Sequence, residues 1–428
     1  MFFFKVKLQF KIFLVILKKL LIIGFVWPEP NSSAAGSRMM QLIDFFKSQN
    51  FKITFASSCA KTENAFNLES IGLHQVFIEL NNTSFNDFIS DLDPDVVLFD
   101  RFLTEEQFGW RVAQQCPDAL RILDTEDLHG LRKGRELAYK SNKPFDKTYL
   151  FNDTAKREIA SIYRSDLSLI ISESEMDILK LDFNVNNDLL FYLPFLLDEL
   201  QEDNIAKLPA FNNRQHFITI GNFLHEPNYN AVLYLKQTIW PLIKKELPQA
   251  EMHIYGAYAS QKINQLNNKI DRFFIKGFTE DAHQVMKNAK VCLVPLQFGA
   301  GLKGKLIDAM QNGTPCVMSS IASEGMFGNL ESNGFVEDTP EAFAKKSIQL
   351  YNDDLIWKEK QQNGFEIINN RFHKISLENK FLVKLEEAIT NIKDRRLNNF
   401  TGQMLMHHTL QSTKFMSKWI EEKNKNSN

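Results

Sequence analysis

Cysteine is sparse in this chain. The four residues, Cys59, Cys116, Cys292 and Cys316, form no Cys-x-x-Cys pair and have no histidine cluster beside them. That spacing excludes a structural zinc module and fits a reducing compartment. Cys292 lies in the apolar run 291–296, where it reads as a buried small hydrophobe. An excess of one charge is missing as well: 50 Lys and Arg stand against 52 Asp and Glu, a net charge of −2. No global field gathers nucleic acid, and no nucleic-acid partner is expected. A long apolar run is also lacking. The run 12–17 is stopped by Lys18 and Lys19, short of the roughly 20 residues that a membrane helix needs. No small-residue cleavage site follows it, so a secretory signal fits poorly. Residues 1–17 are expected to be a disordered extension or a misassigned start, with a peripheral membrane anchor as the alternative. Solenoid repeats and low-complexity tracts are absent. The expected location is cytoplasmic, including the cytoplasmic face of the membrane.

What is present is alternation. At roughly 100–200 residues per domain, 428 residues make two or three domains. From residue 19 onward, short apolar strands alternate with amphipathic helices. Strands are predicted at 20–27, 51–57, 76–80, 96–100, 120–124 and 167–172, with helices at 37–48, 88–92, 105–115 and 154–163. After a polar stretch carrying Pro209, a second block begins. Its predicted strands are 217–220, 252–255, 273–275, 291–295 and 316–319, and its helices include 228–245 (kinked by Pro241), 279–288, 302–311 and 341–351. Such alternation implies parallel sheets covered on both faces. The expected fold is α/β: two tandem doubly wound, Rossmann-like parallel-sheet domains with an interdomain cleft, then a helical C-terminal tail. The expected boundaries are 1–17 for the extension, 18–200 for the first domain, 201–214 for the linker, 215–372 for the second domain and 373–428 for the terminal helices. The tail is read as packing back across the first domain, with a membrane or partner contact through its basic-amphipathic run to Trp419 as the alternative. In open parallel sheets, ligands bind beyond the carboxyl ends of the strands.

The loops at those ends carry the chemistry. Pro295-Leu-Gln-Phe-Gly299-Ala-Gly301-Leu-Lys303-Gly304-Lys305 follows a strand and opens a helix. Its glycines admit close backbone approach, its lysines supply charge, and the helix start adds partial positive charge, as a diphosphate requires. Asp308, one turn into the helix, is placed to accept sugar or ribose hydroxyls. The bland alternative is a plain strand-to-helix turn with solvated lysines. In the first block, Asp124-Thr-Glu126-Asp127-Leu-His129 follows a strand. Glu126, Asp127 and His129 are candidate catalytic groups; helix capping by Thr125 or Asp127, with His129 merely exposed, is the alternative. Asn31, Ser33, Gly36 and Arg38, also between a strand and a helix, are candidate acceptor or anion contacts, against the reading of a capped helix start. Asp91-Leu-Asp93-Pro-Asp95 has a metal-binding Asp-x-Asp spacing but straddles a helix end and a turn. No required metal is expected.

Residues 217–326 resemble the donor-binding domain of retaining GT-B glycosyltransferases, the large family 4. The similar pieces are Ile220-Gly221-Asn222, Pro227-Asn228, Ile254-Tyr-Gly256, Ile275-Lys-Gly277-Phe278, the glycine-and-lysine loop, Gly313-Thr-Pro315 and Ser323-Glu324-Gly325. The likeness covers about residues 18–390. It implies that Gly221, Asn222, Gly256, Gly299, Gly301, Lys303, Lys305 and Glu324 hold the donor, with Gly277 and Phe278 near the nucleotide base. It also implies transfer of a hexose-type sugar from a nucleotide sugar to a glycan or lipid-linked acceptor, with retention, in polysaccharide biosynthesis, and with no cofactor beyond the nucleotide-sugar co-substrate. The sequence departs from the family at its carboxylate pair: Ala300 takes the first position and Asp308 replaces the second Glu. Rival readings are a nucleotide-sugar epimerase or phosphorylase on the same fold, which product analysis separates, and a non-catalytic binding or scaffold protein, which failure of nucleotides to shift thermal stability would favour. Substituting either loop lysine by Ala is expected to lower activity with little loss of stability.

Overall fold

The computed structural model describes residues 18–425, so the expectation for residues 1–17 lies outside the described residues. In the first half, β1 (Lys19–Gly24), β2 (Lys52–Ser57), β3 (His74–Phe77), β4 (Val96–Asp100), β5 (Leu120–Asp124), β6 (Leu167–Ile170) and β7 (Leu190–Tyr192) form one sheet in the order β3-β2-β1-β4-β5-β6-β7. The pairing is parallel: Ile22 lies between Phe55 and Leu98. The second half repeats the plan with β8 (Gln215–Ile220), β9 (Met252–Tyr255), β10 (Phe273–Gly277), β11 (Ala289–Val294), β12 (Cys316–Met318) and β13 (Gly334–Val336), in the order β10-β9-β8-β11-β12-β13.

Both sheets are buried on both faces. Along β1, Leu20 and Ile22 enter one apolar cluster while Leu21 and Ile23 enter the other. In the second sheet, Ile218, Cys292 and Val294 point to one side and Phe217, Val291 and Leu293 to the other. A strand so placed needs an unbroken apolar run, which is why these strands are legible in the sequence. Strand β13 is too short for that signal. A Cβ on its Gly334 would sit 1.7 Å from the Cys316 carbonyl oxygen, so only glycine lets it pair there.

The helix predicted at 228–245 is three pieces: Glu226–Tyr234, a π turn at Leu235–Ile239, and Trp240–Glu246. Pro241 has no N–H and its ring crowds the carbonyl four residues back, so the turn before it widens. Helix Asp354–Arg371 gives Trp357, Ile367 and Ile368 to the second domain's core. The chain then returns beside its first crossing. The Leu197 N–H donates to the Phe372 carbonyl and the Lys374 N–H to the Leu197 carbonyl, both at 2.8 Å. Helix Lys374–Thr390 packs Phe381 against Phe45 and Phe191 of the first domain. Helix Phe400–Lys425 lies on helices Arg101–Gln115 and Asp153–Arg164. Among the described residues no helix is long and apolar enough to cross a membrane.

In each sheet the strand order reverses beside the first strand, between β1 and β4 and between β8 and β11. Loops leaving such neighbours diverge and open a crevice at their carboxyl ends. The two crevices face each other.

Candidate functional site

The facing crevices form one cleft of 1210 Å³. Asn31, Ser33, Gly36, Glu126, Asp127, His129, Gly221, Asn222, Gly256, Phe278, Gly299, Gly301, Lys303, Lys305 and Asp308 all line it. The loop after β11 builds the second domain's wall. Gly301 has φ +65°, and a Cβ there would come 2.8 Å from the Asp127 Cβ. A Cβ on Gly304 would meet that of Ala34 at 2.5 Å. Glycine therefore serves backbone conformation and close approach of the two domains together. The Lys303 ammonium donates to the carbonyls of Ala300, at 2.9 Å, and Gly301. The Lys305 ammonium reaches Asn228 Oδ1 at 2.8 Å. Burial lowers both lysine pKa values to about 8. Asp308, on helix Gly304–Gln311, is pushed up to about 6 by burial.

Other glycines shape the same wall. The Gly256 φ of 158° matters less than its crowding, because a Cβ there would lie 1.9 Å from the Gly221 carbonyl oxygen. Asn222 closes a turn through Oδ1, which accepts the Leu224 N–H at 2.8 Å. Gly277 stands behind the cleft wall: it has φ +75° and its carbonyl accepts the Gly256 N–H at 2.8 Å. It shapes the turn that presents Phe278, which is 43% exposed.

The first domain's wall is charged and ordered. Asp127 faces His129 Nε2 at 3.2 Å and pairs with Arg132. Burial alone would raise the Asp127 pKa, but Arg132, His129 and His225 outweigh it and hold it at about 2. Burial keeps His129 at about 4 and His225, also on the cleft wall, at about 3. Near pH 7 Asp127 is thus an anion beside the neutral imidazole of His129, and the neutral imidazole of His225 comes from the second domain. Glu126, at φ +61°, is raised to about 8 by burial and by Asp124. Helix His129–Lys140 follows, and no side chain of its N-cap residue caps it. Its first N–H groups, on His129 and Gly130, donate instead to Glu158. Glu175 accepts the N–H groups of Leu128 at 2.9 Å and Gly301 at 2.8 Å, joining the two domains through one carboxylate oxygen.

Two expectations fail. Arg38 is no anion or acceptor contact. It is 1% exposed, pairs with Asp124 at 2.8 Å and donates to the Leu193 carbonyl at 2.7 Å. The carboxylate ending β5 captures it beneath the cleft. Glu324 does not line the cleft either: its two oxygens take the Arg135 guanidinium at 2.6 and 2.7 Å, across the domain boundary. Ser33 lines the cleft but spends its hydroxyl on capping, accepting the Gly36 N–H at 3.0 Å. The sequence reading missed Arg101, Arg132, His225 and Tyr258, all on the cleft wall. The last bonds Glu29 of the other domain at 2.8 and 2.9 Å. Arg132 and Arg135 carried a signal, a basic pair at helical spacing after a strand end.

The Asp-x-Asp triplet serves a turn: Asp93 caps helix Ser84–Leu92 at φ +47°, and Asp95 accepts the Lys19 N–H at 2.6 Å. Among the described residues no three His, Cys, Asp or Glu side chains gather as a metal ion would require.

Residues 214–353 match the family of glycosyl transferases group 1. An uncharacterized 44.6 kDa protein in the cps region of Klebsiella pneumoniae is 24% identical over 243 residues, which span 54% of this chain and 60% of that protein. Among solved structures, Anabaena HepE in complex with UDP and glucose superposes with a TM-score of 0.64 at 14% identity, over 86% of this chain and 100% of that one. A variant of S. aureus TarM, in complex with fondaparinux, alpha-GlcNAc-glycerol and UDP, gives 0.55 at 18% identity, over 71% of this chain and 58% of that one. The chain has the GT-B fold, and the domain that bears the two loop lysines is similar to glycosyl transferases group 1.

Proposed function

We propose that the protein is a glycosyltransferase that moves a hexose-type sugar from a nucleotide-sugar donor to a glycan or lipid-linked acceptor, with retention and without a required metal. The carrying observation is the placement of Lys303, Lys305 and the start of helix Gly304–Gln311 on the wall of an interdomain cleft. Breaking the bond from the anomeric carbon to the diphosphate puts negative charge on the leaving group. Two ammonium groups and the partial positive charge of a helix start stabilise that charge without moving. The opposite wall holds Asp127 as an anion, suited to the positive charge that develops on the sugar ring. Neutral His129 beside it is suited to an acceptor hydroxyl. The complexes of HepE with UDP and glucose and of the TarM variant with UDP support a nucleotide-sugar donor. The K. pneumoniae relative in a cps region supports a role in polysaccharide assembly.

A panel of nucleotides and nucleotide sugars tests the reading. One nucleotide diphosphate should raise the melting temperature, since a ligand at a hundred times its Kd adds about 2.7 kcal/mol. Its sugar should then pass to an acceptor. A flat panel with no transfer would refute the proposal. Ala300, where the resembled family carries its first carboxylate, favours a second reading: a protein that binds the nucleotide without turning it over. Binding without any sugar product would select it, and a rearranged sugar formed without acceptor would select an epimerase.

A further inference from the structure

The C-terminal end of the last long helix, Phe400–Lys425, is docked through polar side chains. Ser417 and Glu421, one turn apart, are its buried residues at this end. Ser417 bonds to Asn81 Oδ1 at 3.0 Å. Glu421 pairs with the buried guanidinium of Arg111, which Asn86 also holds at 2.8 Å. The apolar side faces outward: Phe415 is 63% exposed, Met416 59%, Trp419 61% and Met404 47%. A helix lying on a globular domain normally does the reverse. Spacing at helical period puts Met404, Phe415 and Trp419 on one stripe. Leu80 and Phe77, shortly before Asn81, are also exposed, at 44% and 63%.

Lysines frame this stripe. Lys418 lies on one flank, and Lys423 on the other holds its ammonium 5.3 Å over the Trp419 ring. Of the two acidic residues at this end of the helix, Glu421 is consumed by Arg111 and Glu422 pairs with Lys425 at 3.5 Å. We propose that this face docks on an anionic lipid bilayer, with the aromatic and methionine side chains at the acyl boundary and the lysines among the headgroups. Charge disfavours the other occupants. Residues 1–17 carry Lys5, Lys7 and Lys11 and no acidic residue, and a second copy would bring the same lysines face to face. The inference is independent of sugar transfer, because bilayer binding needs no turnover.

Trp419 supplies its own reporter. The other tryptophans, Trp27, Trp110, Trp240 and Trp357, are 4%, 2%, 1% and 1% exposed. The full chain is mixed with phosphatidylcholine vesicles made with or without phosphatidylglycerol. Cosedimentation with the anionic vesicles is expected, with a blue-shifted emission that brominated acyl chains quench and that weakens as salt rises. A Phe415→Ser, Lys418→Glu double variant keeps Trp419 and should partition at least about tenfold more weakly. Both positions are exposed, so its circular dichroism and melting temperature should match the parent. Failure of the parent to sediment with anionic vesicles would overturn the proposal, as would undiminished binding by the double variant. So would a dimer in solution that the double variant dissolves while vesicles bind neither protein.

Discussion

Lys303 and Lys305 stand two positions apart, yet their ammonium groups meet different partners. Lys303 holds two carbonyls of its own loop, whereas Lys305 meets one side-chain oxygen. The sequence treats them alike; the structure separates them. Lys303→Ala should cost about 1–3 kcal/mol of stability, because buried carbonyls lose their donor, and should lose activity as well. Lys305→Ala should weaken donor binding, to a level calorimetry still measures, while its melting temperature stays close to the parent's. Urea titration beside a transfer assay reads both. The lowered lysine pKa values also set a pH dependence. Between about 8 and the ordinary 10.5 the folded chain binds fewer protons than the unfolded one, so stability rises with pH across that window. Donor affinity runs the other way, since a diphosphate needs the charged form. Calorimetric titration of a nucleotide diphosphate from pH 7 to pH 9 should show affinity falling, and Lys305→Ala should flatten the slope. At this scale the lysines and Asp127 are legible because glycines, cations and strand ends are adjacent in the chain. Arg38 and Glu324 are not, because a charged side chain aims at a ligand only if no partner carboxylate or guanidinium reaches it first.

Helix His129–Lys140 shows why an element can be hidden. Gly130 and Gly134 weaken its intrinsic propensity, but each allows a close approach. A Cβ at the first would meet Ala155 at 2.7 Å, and at the second the Tyr149 carbonyl oxygen at 2.4 Å. Its start is capped by Glu158, from another helix, rather than by a neighbour in sequence. Glu158→Ala should leave two buried N–H groups without an acceptor, at about 2–4 kcal/mol. It should also displace His129, which a loss of transfer beyond the loss of folded protein would register. The terminal helix depends likewise on one buried pair. Glu421→Ala strands the Arg111 charge, and removing one partner of a buried pair costs about 3–5 kcal/mol. Limited proteolysis should then cut Phe400–Lys425 away from an otherwise folded core.

Over the whole molecule, closure is the property that the contacts describe. Glu175 bonds the Gly301 N–H, Arg135 grips Glu324 and the Gly299 carbonyl, Tyr258 meets Glu29, and Arg371 pairs with Glu173. These bonds draw the lysine loop onto the Asp127 wall. Arg135→Ala should therefore loosen the closed form and weaken donor binding, by about tenfold for each 1.4 kcal/mol of closure lost. Small-angle scattering should report a larger radius of gyration without nucleotide, and recovery of the parent's value when nucleotide is added. An unchanged radius with unchanged affinity would show that Arg135 has no part in closure.

The chain's order alone determined the fold class and one wall of the cleft. Strands buried on both faces demand continuous apolar runs, and the cleft loop carries its glycines and lysines side by side. Only tertiary structure decided which charges face the cleft and which neutralise one another, because Arg38 finds Asp124 across 86 positions and Arg135 finds Glu324 across 189. It also decided that the last helix turns its aromatics outward, since that depends on Arg111 and Asn81 offering polar partners that no local pattern in residues 400–425 reveals.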